Sequence, residues 1–200
     1  MPIGIIILAA GASQRMGTPK QALPIEDGKS LIQKTVETAL ATDLRPVVVV
    51  VGANKKEVVP ELAGQPVTII DNTLWQEGMA SSVRMGLAGA YLTERKLEAV
   101  LMLVCDQPYV TSSLLNHMVV TLKESGKKAV VCRYGESWGV PVLIGSQLFE
   151  EMTHLKGEQG AKPLLEKHLN EVAFVDFDQG NIDIDTPDDY RRIRSSDESL

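Results

Sequence analysis

The chain has 200 residues, of which 44% are hydrophobic and 23% charged, a composition typical of a globular protein with one sizeable core. Its net charge of −6 and its 4% aromatic content argue against a nucleic-acid partner and against binding to an anionic membrane. Unpaired cysteines and the lack of a visible export signal or membrane span predict a cytoplasmic protein. A local basic site for a small anion remains compatible with this charge.

Short apolar runs predict the strands of a sheet. Continuous Val, Ile and Leu runs indicate strands buried on both faces, and they occupy residues 4–10, 46–52, 99–105 and 128–132. A weaker run at 66–70 predicts another strand. Residues 139–144 predict a further strand that could be antiparallel.

Segments with helical periodicity lie between these runs, at residues 30–42, 81–92, 112–125, 148–155 and 161–169. Thr186, Pro187 and Asp189 suit the N-cap, N1 and N3 positions of a last helix. Strands that alternate with helices predict an α/β protein, a three-layer sandwich around a mainly parallel, mixed sheet. We expect residues 1–194 to form a single domain and residues 195–200 a frayed tail.

The loop after the first strand has the features of a phosphate-binding loop. Open α/β sheets place ligands at the carboxyl ends of their strands, and this loop adds two glycines and the cations Arg15 and Lys20. It contains neither a Walker A motif nor a dinucleotide-binding glycine fingerprint. The alternative is a surface connection with two solvated cations.

Carboxylates follow the third strong strand and precede the last helix. Asp106 stands where a buried strand ends, and a carboxylate there can bind Mg²⁺ or merely start a turn. Asp183 and Asp185 alternate along the chain, so both would point to one side of an extended segment. The alternative is that this segment only caps the last helix.

Two further segments combine small and polar residues. Gly78, Ser81 and Ser82 precede a helix and suit contact with a base, ribose or phosphate, although Ser81 could serve as a helix cap alone. Trp75 could cover a base or simply pack, and Arg84 could reach a phosphate or be solvated. The glycine-rich loop at 157–162 suits a terminal phosphate, with an ordinary helix entry as the alternative. The three histidines lack the spacing of zinc ligands.

Five blocks of the chain, in order, resemble those of one enzyme family. They are LAAGASQRMGTPK at 8–20, WQEGMASSVRMGL at 75–87, CDQP at 105–108, GVPVLI with GEQGAKPLL at 139–165, and DIDTPDDY at 183–190. Together they resemble nucleotidyltransferases of the molybdopterin-guanine-dinucleotide-synthase-like family, and within it the molybdenum cofactor cytidylyltransferase group. The resemblance implies a Rossmann-like nucleotide-diphospho-sugar transferase fold.

The resemblance also implies an activity: transfer of CMP from CTP to molybdopterin, with release of pyrophosphate and Mg²⁺ as cofactor. Ala9-Ala10 resembles the cytidylyl members, whereas guanylyl relatives usually carry Ala-Gly there. A client molybdoenzyme is a further partner that such an enzyme could serve.

The site residues that the resemblance implies fall into four sets. The catalytic set is Arg15, Lys20 and Asp106, and the metal ligands are Asp106 and Asp185. The nucleotide-binding set is Leu8, Ala9, Ala10, Gly11, Ala12, Ser13, Gly78, Ser81 and Ser82. The substrate-binding set is Gly139, Pro141, Gly160, Lys162 and Asp183, where Asp183 could instead be a metal ligand. The family commonly carries Asp and Arg at the positions of Glu158 and Lys162, and a lysine cannot form the bidentate contact of an arginine.

Two other functions compete with this prediction. One is nucleotidyl transfer to a sugar, polyol or other phosphate acceptor. The other is a non-catalytic module that binds the cofactor and delivers it, which would bind without releasing pyrophosphate. A dehydrogenase is disfavoured because the glycine fingerprint is missing.

Overall fold

The computed structural model describes residues 1–197, the side chains of residues 26 and 195–197 excepted. Its strands are β1 (Ile3–Ala9), β2 (Pro24–Glu26), β3 (Lys29–Ser30), β4 (Val47–Val51), β5 (Thr68–Asp71), β6 (Ala99–Val104), β7 (Ala129–Tyr134), β8 (Ser137–Gly145) and β9 (Val172–Asp176). Its helices are α1 (Leu31–Leu40), α2 (Lys55–Glu61), α3 (Met79–Thr93), α4 (Ser112–Ser125), α5 (Phe149–Thr153), α6 (Lys162–Lys167) and α7 (Pro187–Asp197). None of the helices described is long and apolar enough to cross a membrane.

Seven strands form one mixed sheet in the order β5-β4-β1-β6-β8-β7-β9. β8 runs antiparallel to both neighbours, and the other pairings are parallel. The central strand β1 pairs Ile7 with Val49 on one side and with Leu103 on the other. This topology confirms the predicted mainly parallel, mixed sheet.

Alternate residues of β1 bury into opposite faces of the sheet. Ile5 and Ile7 lie in one core cluster with Ile32 of α1 and Leu115 of α4. Ile6 lies in a second cluster on the other face, with residues of α3 and α6. Both clusters consist of fully or nearly fully buried side chains, which explains why the strands read as continuous apolar runs. The three-layer architecture is therefore confirmed.

Three elements were absent from the sequence prediction: α2, the hairpin β2–β3, and the edge strand β9. The hairpin strands span only three and two residues, and α2 carries Pro60 within its seven residues. β9 contributes only five residues, of which Val172 and Val175 are buried. The backbone of α7 is helical to Asp197, three residues into the segment predicted as a tail. Residues 198–200 of that predicted tail lie outside the described residues.

A small third cluster places the last segment of the chain beside the first loop. Met16 of the loop packs with Ile25, Leu31, Ile184 and Ile193. The backbone N–H of Ile184 also donates to the carbonyl of Asp106 at 2.9 Å. The predicted cap of α7 is present, since Asp189 N–H donates to Thr186 Oγ1 at 3.3 Å. Residues 183–185 are thereby held at the carboxyl ends of β1 and β6.

Candidate active site

A cleft of about 800 Å³ opens at the carboxyl ends of β1 and β6. The first loop, the segment after β6, and the start of α3 form most of its wall. The predicted site residues that line it are Leu8, Ala10, Gly11, Ala12, Ser13, Arg15, Lys20, Gly78, Ser82, Asp106 and Asp185. The fold therefore brings residues of all five sequence blocks to one cavity, with Glu158 from the fourth block and Asp185 from the fifth.

Lys20 lies between two carboxylates in this cleft. Its Nζ is 2.6 Å from Asp106 Oδ2 and 2.8 Å from Asp185 Oδ1. The lysine side chain is only 13% exposed, so these ion pairs are better shielded than those on the surface. Arg15 reaches Asp185 from outside at 2.9 Å, and its own side chain is 71% exposed.

The electrostatics of the cleft follow from this arrangement. Burial by itself would lower the pKa of Lys20, but the charge of Asp106 and hydrogen bonds to Asp106 and Asp185 raise that pKa above its ordinary value. Asp183, in contrast, lies near groups of its own charge. Desolvation, followed by the charges of Asp106 and Asp185, raises its pKa to about 6. Lys20 is thus held fully charged beside a concentration of carboxylates.

Asp106 and Asp185 are the residues that could hold a divalent cation. Their oxygens contact the same lysine nitrogen, so a single cation can approach both carboxylates. Carboxylate oxygens are ligands that Mg²⁺ prefers, and Mg²⁺ commonly combines one or two of them with substrate phosphates. The described residues hold no cluster of three or more His, Cys, Asp or Glu side chains suited to a metal. The donor set therefore fits an ion whose other ligands come from substrate and water.

The first loop is held by a glutamine that the sequence analysis did not single out. Gln21 is 1% exposed, and its amide nitrogen donates to the carbonyls of Gly11 and Ala9 at 2.8 and 3.3 Å. Its Oε1 accepts from Ser13 Oγ at 3.1 Å and from Asn54 Nδ2 at 3.4 Å. Ala9 is itself buried and does not line the cleft, and its predicted contact with nucleotide stays a prediction.

The two serines at the start of α3 have different surroundings. Ser82 lines the cleft, whereas Ser81 points into the protein, where its hydroxyl donates to the carbonyl of Gly78 or of Leu74. Both hydroxyls accept from Nδ2 of Asn72, a fully buried side chain. Ser81 therefore stabilises the turn before α3, and its predicted contact with nucleotide stays a prediction.

The loop after α5 packs backbone to backbone on the start of α3. Gly78 has φ +95°, and a Cβ on it would lie 2.4 Å from the carbonyl of Gly157. The carbonyl of Gly157 accepts from Ala80 N–H at 3.0 Å, and Glu158 Oε2 accepts from Met79 N–H at 3.4 Å. Arg84 donates to the carbonyl of Leu155 at 2.5 Å, so it ties α3 to this loop instead of reaching into the cleft. Trp75 lines the cleft and also packs against the core.

The predicted substrate-side residues lie beside the cleft and not in its wall. Gly139, Pro141, Gly160, Lys162 and Asp183 are all absent from the lining of the cavity. Lys162 Nζ stands 5.0 Å from the centre of the Trp138 ring, which is a cation–π contact. Asp183 remains close to the cleft, since the charges of Asp106 and Asp185 act on it. Cys105 is buried, and burial raises its pKa to about 12, as expected for an inert thiol.

A mixed, mainly parallel α/β sheet with a basic loop and paired carboxylates at the carboxyl ends of its parallel strands is the arrangement expected of a nucleotidyltransferase. Residues 5–172 match the family described as the MobA-like NTP transferase domain, and the chain belongs to that family. The sequence-based assignment of the family is thereby confirmed at this level.

Three curated relatives cover almost the whole chain. PucB, a purine catabolism protein of Bacillus subtilis, is 30% identical over 201 residues, 94% of each chain. Nicotine blue oxidoreductase of Paenarthrobacter nicotinovorans is 28% identical over 197 residues, again 94% of each. Molybdenum cofactor cytidylyltransferase of Escherichia coli is 26% identical over 191 residues, 94% of this chain and 93% of that protein.

Solved structures support the same fold. A nucleotidyl transferase from Methanothermobacter superposes with a TM-score of 0.82 at 25% identity, covering 98% of this chain and 97% of that one. Rv0371c of Mycobacterium tuberculosis in complex with manganese gives a TM-score of 0.79 at 25% identity, covering 98% and 100%. The nucleotide-diphospho-sugar transferase fold expected from the sequence is confirmed.

Proposed function

We propose that this enzyme transfers CMP from CTP to molybdopterin and releases pyrophosphate. The observation that carries the chemistry is Lys20 Nζ, 2.6 Å from Asp106 and 2.8 Å from Asp185, at the edge of the cleft. The choice of CTP and molybdopterin draws on the likeness to a molybdenum cofactor cytidylyltransferase and on the Ala9-Ala10 pair.

The nucleotide would lie over the first loop, between Ser13 and Gly78. Arg15 and Lys20 supply positive charge for the α-phosphate and for the leaving pyrophosphate. The acceptor's terminal phosphate is already ionised at neutral pH and attacks the α-phosphorus in line, so a strong general base is not required. Catalysis then consists of positioning and electrostatic stabilisation.

Asp106 and Asp185 would hold Mg²⁺ when substrate is present. The bound ion would supply charge neutralisation at the phosphates. A relative of the same fold in complex with manganese supports the use of a divalent ion. Lys20 contacts both carboxylates, so we expect metal binding to change the position of the lysine side chain, and the lysine to change the affinity for metal.

The acceptor would approach from the side of β8 and the loop after α5. We assign Gly139, Pro141, Gly160, Lys162 and Asp183 to this side. Lys162 carries the positive charge that a terminal phosphate requires, and its contact with Trp138 holds it near that approach. Lys162 provides a point charge and not the bidentate fork of an arginine, so its phosphate contact is adaptable in geometry.

The decisive experiment is a pyrophosphate-release assay with four nucleoside triphosphates, Mg²⁺, and purified molybdopterin present or absent. We expect release with CTP and molybdopterin together. Asp106→Ala should abolish release in a protein that still folds. The control Asp43→Asn should retain it, because Asp43 is exposed and lies before the amino end of β4, away from the cleft. Release in a folded Asp106→Ala protein at the wild-type rate would refute the metal assignment.

The same assay separates the alternatives. Release with a sugar phosphate or polyol phosphate in place of molybdopterin would change the acceptor and keep the chemistry. Binding of cofactor with no release from any nucleotide would indicate a delivery module that serves a client molybdoenzyme. The relative named an oxidoreductase motivates one further measurement, oxidation of NADH or NADPH, for which we expect no activity.

We further propose that residues 1–194 act as one nucleotidyltransferase domain in the cytoplasm. The domain proposal is supported by the ion pair between Lys20 and Asp185, which joins residues 165 positions apart in the chain. Two buried cysteines support an internal, reducing location.

A further inference from the structure

The conformation of the Gly11–Lys20 loop depends on hydrogen bonds to the side chain of Gln21. Gln21 is buried at 1% exposure, yet it forms part of the cleft floor. Both donors of its amide group face backbone carbonyls, since Nε2 contacts Gly11 O in the loop at 2.8 Å and Ala9 O at the end of β1 at 3.3 Å. A buried amide with partners on both of its polar atoms fixes the groups that it contacts.

The other half of the amide fixes the turn at Ser13. Ser13 has φ +53°, a left-handed conformation that is uncommon for a residue with a side chain. Its hydroxyl donates to Gln21 Oε1 at 3.1 Å and accepts from the backbone N–H of Lys20 at 3.2 Å. One glutamine therefore connects the start of the loop, its turn, and the backbone of the lysine at its end.

Asn54 completes the arrangement from a different part of the chain. Its Nδ2 lies 3.1 Å from the carbonyl of Gly11 and 3.4 Å from Gln21 Oε1. The loop is thus held on the carboxyl end of β4 as well as on that of β1. We call the side chains of Gln21, Ser13 and Asn54 the loop latch.

We propose that Gln21 is a positioning residue for nucleotidyl transfer, which holds the loop and the Lys20 backbone in the shape that receives a nucleoside triphosphate. This inference rests on the proposed function for its substrate. Gln21 acts through the loop and through Lys20. A loop that is ordered before the ligand arrives binds without the cost of ordering it, and a lysine displaced by even 1 Å loses much of its effect.

The test compares Gln21→Met with the matched control Gln33→Met. Gln33 also bonds to backbone groups, accepting from Ser30 N–H at 3.0 Å and donating to the Glu61 carbonyl at 3.3 Å, but it lies in α1 away from the cleft. In ligand-free protein, amide hydrogen exchange of residues 11–20 should accelerate about tenfold in Gln21→Met and remain unchanged in Gln33→Met. Ser13→Ala should show the same pattern more weakly.

Steady-state kinetics supply the second measurement. In Gln21→Met we expect the KM for nucleotide to rise about tenfold and kcat to fall by a similar factor, while the KM for the acceptor stays within about twofold. A purely structural role would lower the amount of active enzyme and change neither KM. Gln33→Met should keep all three constants even if its melting temperature falls.

The outcomes separate the two proposals. Unchanged exchange in the loop of Gln21→Met would overturn the role of Gln21, whether or not the enzyme transfers CMP. Faster exchange with unchanged nucleotide KM and kcat would overturn it as well. A wild-type protein that releases no pyrophosphate from any nucleotide would overturn the proposed function. In that case, loss of nucleotide binding in Gln21→Met but not in Gln33→Met would still support the role of the loop latch.

Discussion

Replacing Lys20 by methionine removes the ammonium between two carboxylates and keeps an unbranched side chain of similar length. Lys20 makes charge-assisted contacts of 2.6 Å to Asp106 and 2.8 Å to Asp185. Such hydrogen bonds contribute about 1.5–3 kcal/mol each. A divalent cation that binds these carboxylates in the absence of nucleotide must displace the ammonium, so Lys20→Met should bind Mn²⁺ more tightly. A gain of at least about tenfold corresponds to about 1.4 kcal/mol.

Turnover should change in the opposite direction. Lys20 supplies charge to the developing negative phosphates, and losing one donor of this kind costs about 2.7–4 kcal/mol, or roughly 10²–10³-fold in kcat. Pyrophosphate release measures turnover, and electron paramagnetic resonance of free Mn²⁺ measures metal affinity. Lys128→Met is the control, because Lys128 pairs with Glu171 at the amino ends of β7 and β9, away from the cleft.

Two results would refute this reasoning. A turnover loss of only about twofold would make Lys20 a bystander in the reaction. Weaker Mn²⁺ binding in Lys20→Met would show that the ammonium helps to arrange the carboxylates instead of competing with the metal. In the control, both quantities should match those of the wild type.

Three further predictions concern the framework of the cleft. Gly78→Ala should destabilise the protein by more than about 2 kcal/mol in urea unfolding, because the added Cβ would clash with Gly157 and φ is +95°. The control Gly64→Ala should lose less stability, because Gly64 also has positive φ but its added Cβ would meet nothing within 4 Å. Asn72→Ala should cost about 1–3 kcal/mol, since Ser81 and Ser82 lose a buried partner, and an unaltered urea midpoint would contradict this. Cys105 and Cys132 should resist iodoacetamide at pH 8 until the protein unfolds, because burial raises the pKa of each thiol to about 12; labelling of native protein at the rate of free cysteine would contradict that.

The sequence predicted those features that local pattern determines. Buried strands produce continuous apolar runs, so β1, β4 and β6 were recognisable, and the position of Asp106 followed from the end of such a run. Family resemblance assigned Lys20 and Asp185 to one site but did not predict their contact, because no local pattern joins residues so far apart.

Other features depend on packing that no local signal reports. A serine before a helix does not indicate whether its hydroxyl faces solvent or core, so the inward direction of the Ser81 hydroxyl could not be predicted. Gln21 has no distinguishing pattern, and its only local signal is a polar side chain next to Lys20, three residues before β2. Lys162 lies on Trp138 through a tertiary contact between the start of α6 and β8.

The ion pair between Lys20 and Asp185 also bears on how the protein is made. The loop that carries Lys20 leaves the ribosome early, whereas its partner carboxylate follows 165 residues later. At ordinary synthesis rates of about 5–20 residues per second, that interval is on the order of ten to thirty seconds. Asp106 follows 86 residues after Lys20, so these two can meet before the second carboxylate has been synthesised. A nascent chain would therefore pass through a form that holds the lysine yet lacks half of its proposed metal site, and the complete centre arises only when the segment before α7 docks.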